Sequence, residues 1–222
     1  MLFDFISNPA EYAPMFITIV VTLIFAFAVH EFAHALVADR FGDTTPRAAG
    51  RLTLNPLAHL DPLGTLAFLM AGFGWAKPVP VNPYQLSRRS SAAMMLVSLA
   101  GPASNFIMAL IAIIPLRLDI LSNDPINAFL PSPYFFVSRF ALFNLFLAFF
   151  NLIPLAPLDG DKIFEYFLPP TGVRVLEIIR PYSTIILLLI LFVLPMLGVD
   201  VFGTLFFPPI YRLWNLLAGS LA

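Results

Sequence analysis

Residues 14–38 form a predominantly apolar run, and the stretch at its end, residues 25–43, reads "FAFAVHEFAHALVADRFGD". A stretch of about 20 apolar residues spans the hydrocarbon core of a bilayer. Lipid offers no water to solvate a bare backbone, so such a stretch must satisfy its own amides as a helix. Yet this one places two histidines and a glutamate within five residues. The rest of the chain agrees with a membrane setting. Of 222 residues, 59% are hydrophobic and 11% charged, against about 25% charged in soluble domains. The formal charge of −1 excludes a nucleic-acid partner. Cysteine is absent, so disulfides and thiolate metal sites are excluded.

The N-terminal "MLFDFISNPAEYAPM" has no basic residue and carries Asp4 and Glu11, which does not suit a secretory signal. We therefore read the chain as an α-helical polytopic membrane protein. It has spans at residues 14–40, 92–116, 134–157 and 183–207, with Pro14 in the first turn of the first. A short amphipathic segment at 209–221 allows an extra helix, which gives four to six transmembrane helices within a single domain of residues 1–222. Arg40 closes the first span, Arg47, Arg51, Lys77, Arg88 and Arg89 lie between the first two, and Lys162, Arg174 and Arg180 lie between the last two. By the positive-inside rule these loops face the cytoplasm and the N-terminus lies outside a cell membrane.

Residues 44–84 differ in texture, with Pro, Gly, Thr and Val in "TTPRAAGRLTLNP" and "WAKPVPVNP". The alternation predicts a small membrane-associated β-sheet. The short "DPLGTLAFLMAGFG" predicts a re-entrant or interfacial helix capped by Asp61 with Pro62 at its first position.

His30 and His34 are one helical turn apart and share a face. Two imidazoles so placed can ligate one divalent metal, and Glu31 beside them can act on a bound water. Counting back from Asp39, His30 lies about 14 Å inside the helix end. Ionisable groups at such depth cost about 3 kcal/mol or more, so function is their default explanation. A third ligand is needed, and the candidates are His59, Asp159, Glu165 and Glu177. Asp159 suits the geometry best, because "NLIPLAPLDGDK" must unwind at its prolines just where a transmembrane segment ends. Asn105 on the second span suits either a contact to the substrate backbone or oxyanion or an interhelical bond. Asn151 is placed to satisfy carbonyls freed by the break or to meet substrate. His59 suits a local backbone contact or an additional metal contact, and "KPVPV" a strand that could pair with an extended peptide.

The segments "HEFAHALVADRFGD", "GRLTLNPLAHLDPLGT", "GWAKPVPVNP", "SLAGPASNF" and "FFNLIPLAPLDGDKIF" resemble, in order, the site-2 protease family of intramembrane zinc metallopeptidases. The resemblance covers most of residues 28–164 and is to short prokaryotic members without PDZ or CBS domains. It implies one Zn2+ per chain on His30, His34 and Asp159, with Glu31 as the catalytic glutamate. It also implies a membrane-anchored protein substrate, such as an anti-sigma factor or a signal-peptide remnant. The polar cytoplasmic loops and the position of Asp159 point to a site reached from the cytoplasmic side. Ala156 and Asp161 depart from the family pattern without touching a ligand. Two other functions fit a polar cluster in a membrane helix: a catalytically silent scaffold, and a metal-binding transporter. The first is opposed by the intact motif, the second by the lack of repeated halves.

Overall fold

The computed structural model describes residues 2–71 and 74–219. Among the described residues, four helices are long and apolar enough to cross a membrane: Pro9–Arg40, Ala93–Arg117, Pro133–Phe150 and Pro170–Met196. They are called the first to fourth spans below.

The packing of the first two spans follows from small residues repeated at every fourth position. On the first, Thr18, Thr22, Ala26, His30, His34 and Ala38 are all buried. On the second, Ala93, Val97, Gly101, Asn105, Ala109 and Ile113 are buried in the same register. Residues four apart stack on one helix face, and small ones let two helices approach closely in lipid. The two histidines thus stand inside a stripe of small residues that faces the second span. The third span adds Ala141, Asn144, Leu145 and Ala148 to this core. A C-terminal helix, Phe207–Ala218, packs Ile210 and Trp214 against the second and third spans.

Several boundaries differ from the sequence reading. The first span starts at Pro9, which occupies its opening turn, and Pro14 lies inside the helix. The Thr18 hydroxyl donates to the Pro14 carbonyl at 2.6 Å. The fourth span begins at Pro170 rather than 183, because Pro181 is carried through a 3₁₀ turn at Arg180–Tyr182 instead of ending the helix. It closes at Met196, after a π-helical turn at Leu189–Val193, and Gly198 takes a positive φ of 82°. Pro195, without an N–H, accounts for the slipped hydrogen-bond ladder there. Residues 72–73 and 220–221 of the expected elements lie outside the described residues.

The β-sheet expected over residues 44–84 is not formed. No strand occurs among the described residues, and only one isolated antiparallel bridge, Leu60 to Ala76, joins the two segments. Proline removes ladder donors at 46, 56, 78 and 80. The Arg51 guanidinium takes the carbonyls of Ala58, Lys77 and Pro78 that a neighbouring strand would need. The ten-residue helix Pro62–Ala71 does form, and Asp61 Oδ1 accepts from Gly64 N–H at 2.8 Å as its cap.

An ion cluster ties the start of the fourth span to the helix Gly160–Phe167. Arg180 Nε donates to both oxygens of buried Asp161 at 2.9 and 3.0 Å, and Arg180 also pairs with Glu165. Among the described residues, Arg180→Met leaves Asp161 with Lys162 as its one cationic partner, 3.7 Å away. Removing one partner of a buried pair is strongly destabilising, so unfolding in detergent is expected to show a loss of about 3 kcal/mol. A loss within the error of a surface substitution would contradict it.

Candidate metal centre

Three elements converge at the site. The first span brings His30 and His34, and the second brings Gly101 and Asn105. The third span stops at Phe150, and residues 151–159 leave the helix to present Asp159 at the start of Gly160–Phe167. Asn151 caps the break: its Nδ2 donates to Leu147 O at 2.9 Å, and its own carbonyl accepts from Gly160 N–H at 2.6 Å.

The hydrogen bonds fix where the imidazole protons are. Asn144 Nδ2 donates to the Phe140 carbonyl at 2.9 Å, which orients its Oδ1 toward Asn105 Nδ2, also at 2.9 Å. Asn105 Oδ1 therefore accepts from His30 Nδ1–H at 2.6 Å. The Val97 carbonyl accepts from His34 Nδ1–H at 2.7 Å. A neutral imidazole protonated at Nδ1 has its lone pair at Nε2. The two Nε2 atoms lie 3.0 Å apart, and Asp159 Oδ2 lies 3.2 Å from one and 3.3 Å from the other.

Three lone pairs converging in this way repel one another unless a cation lies among them. Asp159 Oδ2 is buried and has no hydrogen-bond donor. At Gly101 an added Cβ would overlap His34 Nε2 and lie 2.6 Å from His30 Nε2, so the missing side chain leaves a cradle beside both nitrogens. Tetrahedral zinc with bonds of about 2.1 Å holds its ligand atoms about 3.4 Å apart. Two imidazoles, one carboxylate and a cradle of this size fit Zn2+, with one coordination position left for a small molecule.

Glu31 is buried next to this group, and its Oε2 accepts from Val79 N–H at 3.1 Å. His30, Glu31, His34, Asn105 and Asp159 all line one cavity of about 610 Å³. Its remaining wall is largely apolar, with Phe27, Phe68, Trp75, Phe146, Phe150 and Phe192 prominent. His59 is not part of the cavity wall; it is fully buried with its Nε2 2.8 Å from the Thr53 carbonyl. Neither Glu165 nor Glu177 joins the metal-ligating group. Asn105 has its oxygen and its amide nitrogen engaged by His30, Asn144 and the Ala26 carbonyl.

The sequence reading passed over Gly101, Asn144 and Arg51. Asn144 carried a usable signal, being the only amide within the apolar "FALFNLFLAFF". Gly101 could have been found from its place in the four-residue stripe of the second span.

Residues 120–194 match the family model of peptidase family M50. The "Putative zinc metalloprotease YwhC" of Bacillus subtilis is 46% identical over 179 residues, covering 80% of this chain and 81% of that protein. Rip2 of Mycobacterium tuberculosis, which bears the same descriptive name, is 32% identical over 202 residues, covering 90% of this chain and 75% of that protein. No solved structure matches the chain. The chain belongs to peptidase family M50. It is a metalloprotease with four membrane-type helices, and zinc is its metal.

Proposed function

We propose that this M50 peptidase hydrolyses peptide bonds within or beside the transmembrane segments of membrane-anchored proteins. His30, His34 and Asp159 hold its Zn2+, and Glu31 is the general base. The observation that carries this reading is the convergence of three lone-pair atoms at 3.0–3.3 Å beside Glu31, on the wall of a largely apolar cavity.

Zinc, when bound, lowers the pKa of water toward about 7 and polarises a carbonyl. The chain's own residues do the rest. Glu31 takes the proton of the attacking water and returns it to the leaving amine nitrogen. Asn105 and the Val97 carbonyl hold the two imidazoles in the tautomer that points Nε2 at the metal. The aromatic walls limit bulk water and accept the apolar side chains of a substrate segment. The distribution of basic residues over the loops supports an opening toward the cytoplasm of a cell membrane, with the N-terminus outside. Anti-sigma factors and signal-peptide remnants are substrates of fitting chemistry.

The test measures zinc per purified chain and cleavage of a panel of reporter proteins, each with one transmembrane helix. One zinc per chain is expected in the parent and in Glu31→Gln, with loss in His34→Ala and Asp159→Ala. Reporter cleavage is expected in the parent only. Zinc content indifferent to Asp159→Ala would sink the ligand assignment, and cleavage surviving Glu31→Gln would sink the base.

A further inference from the structure

We infer that Arg51 is a positioning residue for Glu31, acting through the single peptide group that joins Pro78 to Val79. The inference rests on the reading of Glu31 as general base and gives a role to a residue outside the metal-ligating group.

Arg51 is almost fully buried, and its guanidinium meets no carboxylate among the described residues. Nη1 donates to the carbonyls of Ala58 and Lys77, and Nη2 donates to the carbonyl of Pro78 at 3.2 Å. A buried charge is normally paired, because desolvating it alone is costly. The missing counter-charge stands across one peptide. Pro78 C=O and Val79 N–H belong to the same planar trans unit, where they point in opposite directions. The guanidinium holds the oxygen, and the N–H donates to Glu31 Oε2 at 3.1 Å. Guanidinium, peptide dipole and carboxylate form one polarised chain in a poorly solvated place, where each bond strengthens the next.

The neighbouring residues make this link stiff. Pro78 and Pro80 flank Val79 and fix their own φ angles. The segment is fastened at both ends: Lys77 N–H donates to the His59 carbonyl at 2.8 Å, and Asn82 N–H donates to buried Asp43 Oδ2 at 2.6 Å. Glu31 Oε2 is thereby held, while nothing among the described residues hydrogen-bonds its Oε1. One oxygen is anchored and the other is left for proton transfer. A base must lie within hydrogen-bond reach of its proton, and a 1 Å error in such a site costs about a hundredfold. Arg51 suits the anchoring task because its planar fork reaches three carbonyls at once, which an ammonium cannot reproduce.

The experiment uses the full zinc-loaded chain in liposomes with a reporter cleaved by the parent. Arg51→Gln is expected to lower kcat about 10- to 100-fold, with KM and zinc content unchanged, and Arg51→Lys to recover part of it. Val79→Pro deletes the N–H while leaving Arg51 in place, and carries the same kinetic expectation should Arg51→Gln fail to accumulate. The double variant is expected to be no slower than the slower single one, because both cut the same link. A readout independent of turnover comes from carbonyl-13C proline with 15N valine, which selects only the pairs 78–79 and 80–81. The Val79 amide proton is expected to move upfield in Arg51→Gln and in Glu31→Gln alike. An unchanged or raised kcat in Arg51→Gln overturns the inference, a rise marking the segment as inhibitory instead. A Val79 resonance indifferent to Glu31→Gln overturns it as well. Turnover by Glu31→Gln would overturn the base reading separately, since the resonance still reports whether the link exists.

Discussion

Gly101→Ala is expected to abolish stoichiometric zinc binding while the four spans remain folded. The added methyl would overlap His34 Nε2 and come within 2.6 Å of His30 Nε2, on the side where their lone pairs converge. Neither imidazole can retreat easily. Each is tied at Nδ1 to the second span, His30 through Asn105 and His34 through the Val97 carbonyl. Both also sit in the tight face between the first two spans, so moving the rings means separating the helices. The cheaper response is for the methyl to take the space beside the nitrogens and exclude the metal. Alanine is otherwise a better helix former than glycine, by about 1 kcal/mol, so fold stability is expected to hold or rise in the metal-free state. Zinc affinity is expected to fall by about a hundredfold or more, beyond the usual effect of altering a group behind the ligands. Titration of the metal-free variant with zinc, beside circular dichroism and thermal unfolding, separates the two effects. A Gly101→Ala protein that keeps one zinc per chain at parent affinity would show that the cation lies elsewhere.

How much of this was legible in the sequence depends on whether the information is local. The apolar run, the His30–His34 spacing and the prolines before Asp159 are local features, and each foretold a local structural consequence. The unwinding after Phe150 follows from Pro154 and Pro157 alone. The expected sheet failed because alternation of Val, Thr and Leu was weighed above the prolines among them. A strand pattern without donors cannot extend beyond the one bridge at Leu60 and Ala76. The fourth span starts earlier than the expected residue 183 because a 3₁₀ turn, with Arg180 held by Asp161, carries the helix through Pro181. The roles of Gly101, Asn144 and Arg51 were missed for another reason. Their roles exist only across helices or between distant segments, and no spacing within one segment encodes a neighbour on another. The stripes of small residues at every fourth position do reveal which faces meet, though not which residue stands opposite His30.

Asn105→Leu is expected to weaken both the metal site and the core behind it, and the two losses can be separated. Asn105 is fully buried between His30 on the first span and Asn144 on the third. Leucine is nearly its shape but accepts and donates nothing. His30 Nδ1–H then loses its acceptor, so the imidazole is free to turn or change tautomer, and zinc affinity should drop about 10- to 100-fold. At the same time Asn144 Oδ1 loses its donor, a buried unsatisfied group costing about 1–3 kcal/mol. Asn144→Leu provides the comparison. It strips the same interhelical bond and leaves Asn105 Nδ2 short of a partner, but the His30–Asn105 bond survives. If Asn105 serves the metal through His30, Asn144→Leu should lower stability by a similar amount while zinc affinity falls far less. Equal zinc affinities in the two variants would reduce Asn105 to a packing contact between helices. Asn105→Asp refines the test, since a carboxylate still accepts from His30 Nδ1–H and should restore zinc binding while the bond to Asn144 Oδ1 is lost. Zinc binding that follows the acceptor at position 105, whatever happens to stability, identifies the second span as part of the metal centre.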